Sequence, residues 1–235
     1  MRLVILAAGV LSVLPTVAGA ESLPAGPRRP VVVELFTSQG CSSCPPADAL
    51  VAELADTRPD VLALTFHVTY WNRLGWTDPF SFQGATERQR GYVALSVSPQ
   101  VYTPAMVVDG RLDVVGSDRR GVAAALAQAG ADAAAGAEVG AVRRGRTLAV
   151  SVGAGAGTGK IVLVGYDRRH ETAVARGENG GRTLTEVNVV RSIAVVGTWS
   201  GSATQLEVPV PAGEDAAVLV QAANGRIVGA ARAGS

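Results

Sequence analysis

The sequence predicts an α/β fold in two parts: a helix-bearing domain over residues 31–132 and a small β-sandwich domain over residues 141–235. Three observations predict it. The nearly all-apolar run Val31–Phe36 passes through a polar turn into a helical period and then into a second apolar run, Val61–Val68. That is the pattern of a βαβ unit whose strands are covered on both faces. Asp109-Gly110 sits between two short β-prone runs and reads as a tight hairpin. Beyond Gly130–Gly140 the helical period is lost, and short strand-like runs separated by turns take over.

The elements follow in chain order. Arg2, the apolar stretch Leu3–Val13 and the small-residue exit Ala18-Gly19-Ala20 read as a signal peptide over residues 1–20, with the mature chain beginning near Glu21. An uncleaved membrane anchor is the alternative, opposed by the shortness of the apolar stretch. Export implies a secreted, periplasmic location, where oxidising conditions allow a cysteine pair to close. After a proline-rich leader comes the first strand, Val31–Phe36. Pro45-Pro46 are tolerated in the first turn of a helix carried by Ala49, Leu50, Ala52 and Leu54 to about Asp56. Val61–Val68 is the second strand and Thr86–Leu95 a second helix. Ala105–Val108 and Leu112–Val115 flank the Asp-Gly turn, and Ser117 or Asp118 can cap a helix over Arg119–Ala129. Seven strand candidates follow: Thr147–Val152, Ile161–Tyr166, Val187–Ser192, Ile193–Trp199, Gln205–Val210, Ala216–Gln221 and Ile227–Ala231.

The bulk properties exclude some functions. Formal net charge is +1, without the basic surplus of a nucleic-acid-binding surface. No later segment approaches eighteen apolar residues, so no stable membrane insertion is expected after signal removal.

The chemistry concentrates at Cys41-Ser42-Ser43-Cys44, which holds both cysteines of the chain at a strand-to-helix turn. There the first thiol meets the unpaired N–H groups and positive dipole end of the helix, which favour a thiolate. The second thiol, three positions on, can close a disulfide or resolve a mixed one. His67 ends the second strand at the edge from which Cys41 emerges, where sites of open α/β sheets assemble. It is either a base or ligand near the cysteines or a hydrogen-bonded structural histidine. Tyr70, Trp71, Trp76 and Phe80 suggest a wall or lid. Glu178-Asn179-Gly180-Gly181-Arg182 reads as an ordinary turn, or as a contact that docks the two domains or a partner.

The order strand, C-x-x-C, helix, strand, helix, Thr-Pro, hairpin, helix resembles the thioredoxin fold. The segments ELFTSQGCSSCPPAD, HVTYWNRLGWTDPF, VYTPAMVVDG and GENGGRTLTEVNVVR further resemble an uncharacterised family of secreted bacterial thioredoxin-like proteins, domain of unknown function 1223. The resemblance implies a thioredoxin-like domain in which a cis-proline, Pro104 after Thr103, faces Cys41 and Cys44. With Tyr102, these residues are then expected to line a substrate groove. It also implies a carboxylate that handles the second thiol's proton. Glu34, seven residues before Cys41, stands one residue from the place where thioredoxins carry theirs, and His67 is a second candidate. Gln39-Gly40 replaces the usual Trp before the first cysteine, and Pro45 the usual basic residue after the second.

Three functions remain open at this level. The first is a periplasmic thiol–disulfide oxidoreductase acting on cysteine-containing proteins or small thiols, with Cys41 attacking, Cys44 resolving and no cofactor. The second is a metal-binding module that holds copper(I) on the two thiolates, with His67 as a third ligand. The third is a recognition protein in which the pair is a structural disulfide, closing a loop worth only about 2 kcal/mol.

Overall fold

The computed structural model describes residues 29–132 and 136–234. The signal peptide expected over residues 1–20 lies outside the described residues. Apolar runs become the strands β1 (Val31–Thr37) and β2 (Val61–His67), every residue of both buried. They pair in parallel, from Val31 opposite Val61 to Thr37 opposite His67. Between them runs α1 (Pro45–Thr57), and after β2 comes α2 (Gln83–Ala94). The hairpin strands β3 (Ala105–Val108) and β4 (Leu112–Val115) add antiparallel to β1, with Asp109 and Gly110 at φ 51° and 68° in the turn. The Asp118 carboxylate accepts the N–H groups of Arg120 and Gly121 and so caps α3 (Arg119–Asp132).

Strand alternation sorts the core. Val33, Leu35, Val61 and Ala63 pack against α1 and α3, while Val32, Phe36, Leu62 and Phe66 pack on the α2 face.

The second half adds β5 (Val139–Arg144), β6 (Thr147–Val152), β7 (Gly159–Ala173), β8 (Thr183–Trp199), β9 (Thr204–Pro209), β10 (Asp215–Gln221) and β11 (Ile227–Arg232). These do not build a separate sandwich beyond a boundary at residues 132–141, as the sequence suggested. One eight-stranded sheet runs β11-β10-β7-β8-β2-β1-β3-β4 through both halves, and only β5, β6 and β9 form a second, antiparallel sheet. The small sheet packs over the extension of the large one, with Leu148, Val150, Ile161, Val218 and Trp199 between them. The fold is therefore mixed α/β, with a large mixed sheet and a small antiparallel one.

The join explains the difference. β2 would otherwise present an open edge, and β8 covers it through one register pair, Thr65 opposite Val189. Side chains complete the seam: Asn188 Nδ2 donates to the Ala63 carbonyl at 2.8 Å, and Thr65 Oγ1 to the Val187 carbonyl at 2.8 Å. Asn188 itself takes φ 48°, the irregularity that lets β8 change course.

β7 outruns its expected length, and the two strands expected over Val187–Ser192 and Ile193–Trp199 are one continuous strand, β8, that begins four residues earlier. Arg168, Arg169 and Glu171 interrupt the apolar pattern of β7, and Asn188 interrupts that of β8, yet the two strands stay paired from Gly159–Trp199 to Ala173–Thr183. The far end of this ribbon forms an arm alongside α1. Arg169 lies 3.6 Å from Asp56 near the helix C-terminus, and the tip of the arm reaches the helix N-terminus. β5 went unread because it emerges from the alanine- and glycine-rich stretch and ends in Arg143-Arg144.

Candidate functional site

Cys44 is the residue preceding the first turn of α1, and it is joined to Cys41 in a disulfide with the Cα atoms 5.4 Å apart. Both cysteines are fully buried, Cys41 included, although the sequence reading casts it as the attacking thiol. The helix end also offers less to a thiolate than its position suggested. Pro45 and Pro46 have no N–H, the Cys44 N–H donates to the Cys41 carbonyl, and the Ser42 N–H donates to Glu178 Oε2 at 3.1 Å. The Ser43 hydroxyl lies 3.4 Å from Cys41 Sγ.

The loop before Cys41 is held from three sides. Gln39 N–H donates to Asp78 Oδ2 at 2.8 Å, and Trp76 Nε1 donates to Gln39 Oε1 at 3.0 Å. From the arm, Asn179 Nδ2 donates to the carbonyls of both Gln39 and Cys41 at 2.9 Å, while Arg182 donates to Asn179 Oδ1. Gly40 leaves the loop close to the aromatic segment, where a Cβ would lie a tight 3.3 Å from Trp71 Cβ. The Glu178–Arg182 turn thus covers the disulfide. Replacing Asn179 with alanine removes two hydrogen bonds of the cover, together about 1–2 kcal/mol, and should speed reduction by dithiothreitol about 5–30-fold. A rate equal to wild type, read by timed alkylation, would mean that the cover does not limit access.

The Thr103–Pro104 bond is cis, and Pro104 is buried. A Cβ added at Gly116 would meet Leu35, Ala47 and Pro104 at 2.8–3.3 Å, so the proline packs beside the first turn of α1. Thr103 Oγ1 accepts from Trp71 Nε1 at 2.8 Å, which ties the aromatic loop to the same edge. Tyr102 belongs elsewhere. Its hydroxyl donates to Asp113 Oδ2 at 2.9 Å, and its ring packs with the α2-side core, so it anchors β4 instead of lining a groove at the cysteines.

Glu34 is the other correction. Alternation places it with Val32 and Phe36, on the face away from α1, where Arg88 holds both carboxylate oxygens at 2.6 and 2.7 Å and Tyr92 donates at 2.9 Å. It does not face the cysteines. Asp48 does: it lies four residues after Cys44 on α1, hence on the same helix face, and its N–H donates to the Cys44 carbonyl. Thr37 Oγ1 donates to Asp48 Oδ1 at 2.8 Å. Burial pushes the Asp48 carboxyl up to about 7, with Glu186 and Asp78 adding to the rise and His67 and Thr37 opposing it.

His67 is close enough to this carboxyl for their charges to couple. It is fully buried, with Nδ1 2.7 Å from Asp78 Oδ2. Burial opposes its protonation, but the charges of Asp78, Glu186 and Asp48 and the hydrogen bond to Asp78 outweigh that and raise its pKa. Burial likewise works to raise Asp78, yet the imidazole and the N–H groups of Gln39 and Phe80 hold it below the usual carboxylate range. Glu186, fully buried on the arm, is pushed up by desolvation. Among the described residues, no three His, Cys, Asp or Glu side chains are grouped so as to hold a metal ion. None of their helices is long and apolar enough to cross a membrane.

Sequence reasoning passed over Asp48, Asp78 and Glu186, and it named Asn179 only within a turn that is ordinary or docks the two domains or a partner. Each lies inside one of the segments that carried the family resemblance, and Asp48 also had the helical spacing from Cys44 as a signal.

Residues 32–221 match the family described as protein of unknown function DUF1223. The chain belongs to that family. Among solved structures, protein AGR_C_4864 from Agrobacterium tumefaciens is similar to this DUF1223 chain at 33% identity and a TM-score of 0.76, over 88% of this chain and 95% of its own. A second, titled HBP35 of Porphyromonas gingivalis, shares the fold at 15% identity and a TM-score of 0.57, over 87% of this chain and 74% of its own. No curated protein matches.

Proposed function

We propose that this DUF1223 protein is a thioredoxin-like thiol–disulfide oxidoreductase of an extracytoplasmic, oxidising compartment, exchanging electrons with cysteine-containing proteins or small thiols. The observation that carries the reading is a Cys41–Cys44 disulfide at a strand-to-helix turn, backed by a buried carboxyl, Asp48, whose pKa is about 7. A donor thiolate attacks Cys41, the S–S bond breaks, and its electron pair leaves on Cys44. Asp48 in its protonated form supplies the proton that Cys44 takes up. A second donor thiolate then releases Cys41, so the donor dithiol is oxidised to a disulfide as the pair is reduced. The reading gives Asp48 the role that Glu34 was expected to play.

Reduction by dithiothreitol, normalised to the thiolate fraction of the reagent, tests it. The sign follows from the raised pKa: below about 7 Asp48 holds a proton to give, and above it does not. The normalised rate should therefore fall as pH rises through about 7. Asp48→Asn should be flat across that range and slower on the acid side by about 10²-fold. A folded wild-type protein whose disulfide resists dithiols, or a profile that Asp48→Asn leaves intact, would overturn the reading.

A further inference from the structure

Glu186 carries a cost that the fold does not explain. It is 1% exposed on β8, its carboxylate oxygens have no partner in good hydrogen-bond geometry, and the Gln39 amide beside them is the neutral donor that eases its ionisation. Burying a carboxyl in this way is unfavourable unless something nearby uses it. The groups facing it come from every element around the disulfide. They are His67 on β2, Asp78 on the following loop, Asp48 on α1 and His170 directly opposite on β7, with the uncharged Gln39 beside them. His67 Nε2, the ring nitrogen that Asp78 does not take, is buried and also without a partner, as is Gln39 Nε2.

The residue opposite Glu186, His170, reaches the surface. His170 is partly exposed, with Nε2 2.9 Å from Asp167 Oδ2. Its ring packs on Phe80 at 4.4 Å between centroids, and Phe80 meets His67 edge-on at 5.5 Å. The arm therefore brings one carboxyl into the site, and the strand beside it leads back to the surface.

We propose that Glu186, delivered by the arm, shares a proton with Asp48 across His67 and keeps it available to the thiol that leaves the Cys41–Cys44 bond. The proposal rests on the thiol–disulfide reading above. Asp78 is committed to His67 Nδ1 at 2.7 Å, which leaves the two remaining carboxyls to repel each other whenever both are ionised. Such a pair gives up its protons in two separated steps, the second at a higher pH than either carboxyl would show alone. One proton is thus held into the neutral range. When a donor dithiol reduces the disulfide, that proton goes to the Cys44 thiolate as the S–S bond breaks. The donor's own proton, released to solvent, restores the pair.

Glu186→Gln keeps the shape and removes the charge. The midpoint of the normalised rate–pH profile for dithiothreitol should then fall by at least about half a pH unit, because Asp48 no longer faces a like charge. Glu186→Asp should keep the midpoint within a few tenths of wild type. A folded Glu186→Gln protein with an unmoved midpoint would overturn the assignment, while a wild-type profile that still follows Asp48 would leave the oxidoreductase reading standing. A second measurement needs no variant. Infrared difference spectra between oxidised and reduced wild-type protein should show two buried carboxyl bands responding to reduction, and a single responding band would count against Glu186.

Discussion

Replacing Cys44 with serine is expected to lock this protein into mixed disulfides with its thiol partners, and replacing Cys41 with serine is expected to abolish them. The helix decides the difference. Cys44 caps α1 and shares a face with Asp48 four residues later, so it is the sulfur that a nearby proton can serve as a leaving group. Cys41 lies outside the helix, next to the exposed Ser42 and Ser43, and its carbonyl is gripped by Asn179 at the edge of the cover. On the proposed reading, Cys41 is the sulfur expected to exchange with a partner once the Asn179 turn gives access to it. Without Cys44, nothing within the chain can resolve the adduct, since the sequence contains no third cysteine. Non-reducing electrophoresis and mass spectrometry of adducts with oxidised glutathione and with disulfide-containing peptides read the outcome, the lone thiolate of each reduced variant exchanging with the partner's disulfide and releasing one of its sulfurs as a thiol. The expected result is complete retention of adduct on Cys44→Ser and none on Cys41→Ser. Equal trapping by both variants would remove the assignment of roles.

The largest stability effect should come from Arg88→Ala, far from the disulfide. Arg88 pairs with both oxygens of the fully buried Glu34, donates to Tyr92 and reaches Gln221 at 3.1 Å, joining α2 to β1 and β10. Truncation leaves the Glu34 carboxylate with only the Tyr92 hydroxyl, an uncompensated charge in the core. The expected cost is about 3–5 kcal/mol. At about 2–4 °C per kcal/mol for a chain of this size, thermal unfolding should shift down by about 6–20 °C. Dithiothreitol reduction of the folded variant should proceed at the wild-type rate, because this pair occupies the opposite face of the sheet from α1. A slowed reduction with unchanged stability would return Glu34 to the site.

Much of the local architecture was legible from residue pattern. Val31–Thr37 and Val61–His67 are runs that only a doubly covered strand tolerates, and their parallel pairing follows from the helix between them. Asp109-Gly110 specifies its hairpin through left-handed backbone that few other pairs adopt, and Asp118 announces the start of α3. Cys41 and Cys44 were visible for the same reason, because their chemistry needs only short spacing. The carboxyl that shares the side of Cys44 was not. Glu34 and Asp48 are both acids near the cysteines in sequence, and only the assignment of strand faces tells that Glu34 turns toward Arg88 while Asp48 shares the side of Cys44.

The remaining features were decided by tertiary structure. Asn179 bonds to the Cys41 carbonyl across 138 residues of chain, and Glu186 meets His67 through an arm whose polar outer residues hide its strands from any periodicity. Nothing local marks a Gly-rich turn as the cover of a disulfide, because the residues that suit a turn in solvent also suit one that caps a helix end. By itself the sequence determined the βαβ core, the hairpin and the paired cysteines, where neighbours along the chain are the interacting groups. The joining of both halves into one sheet, the burial of the disulfide and the gathering of Asp48, His67, Asp78 and Glu186 depended on long-range packing. There the energy comes from covering the open edge of β2 and from contacts that no stretch of sequence contains on its own.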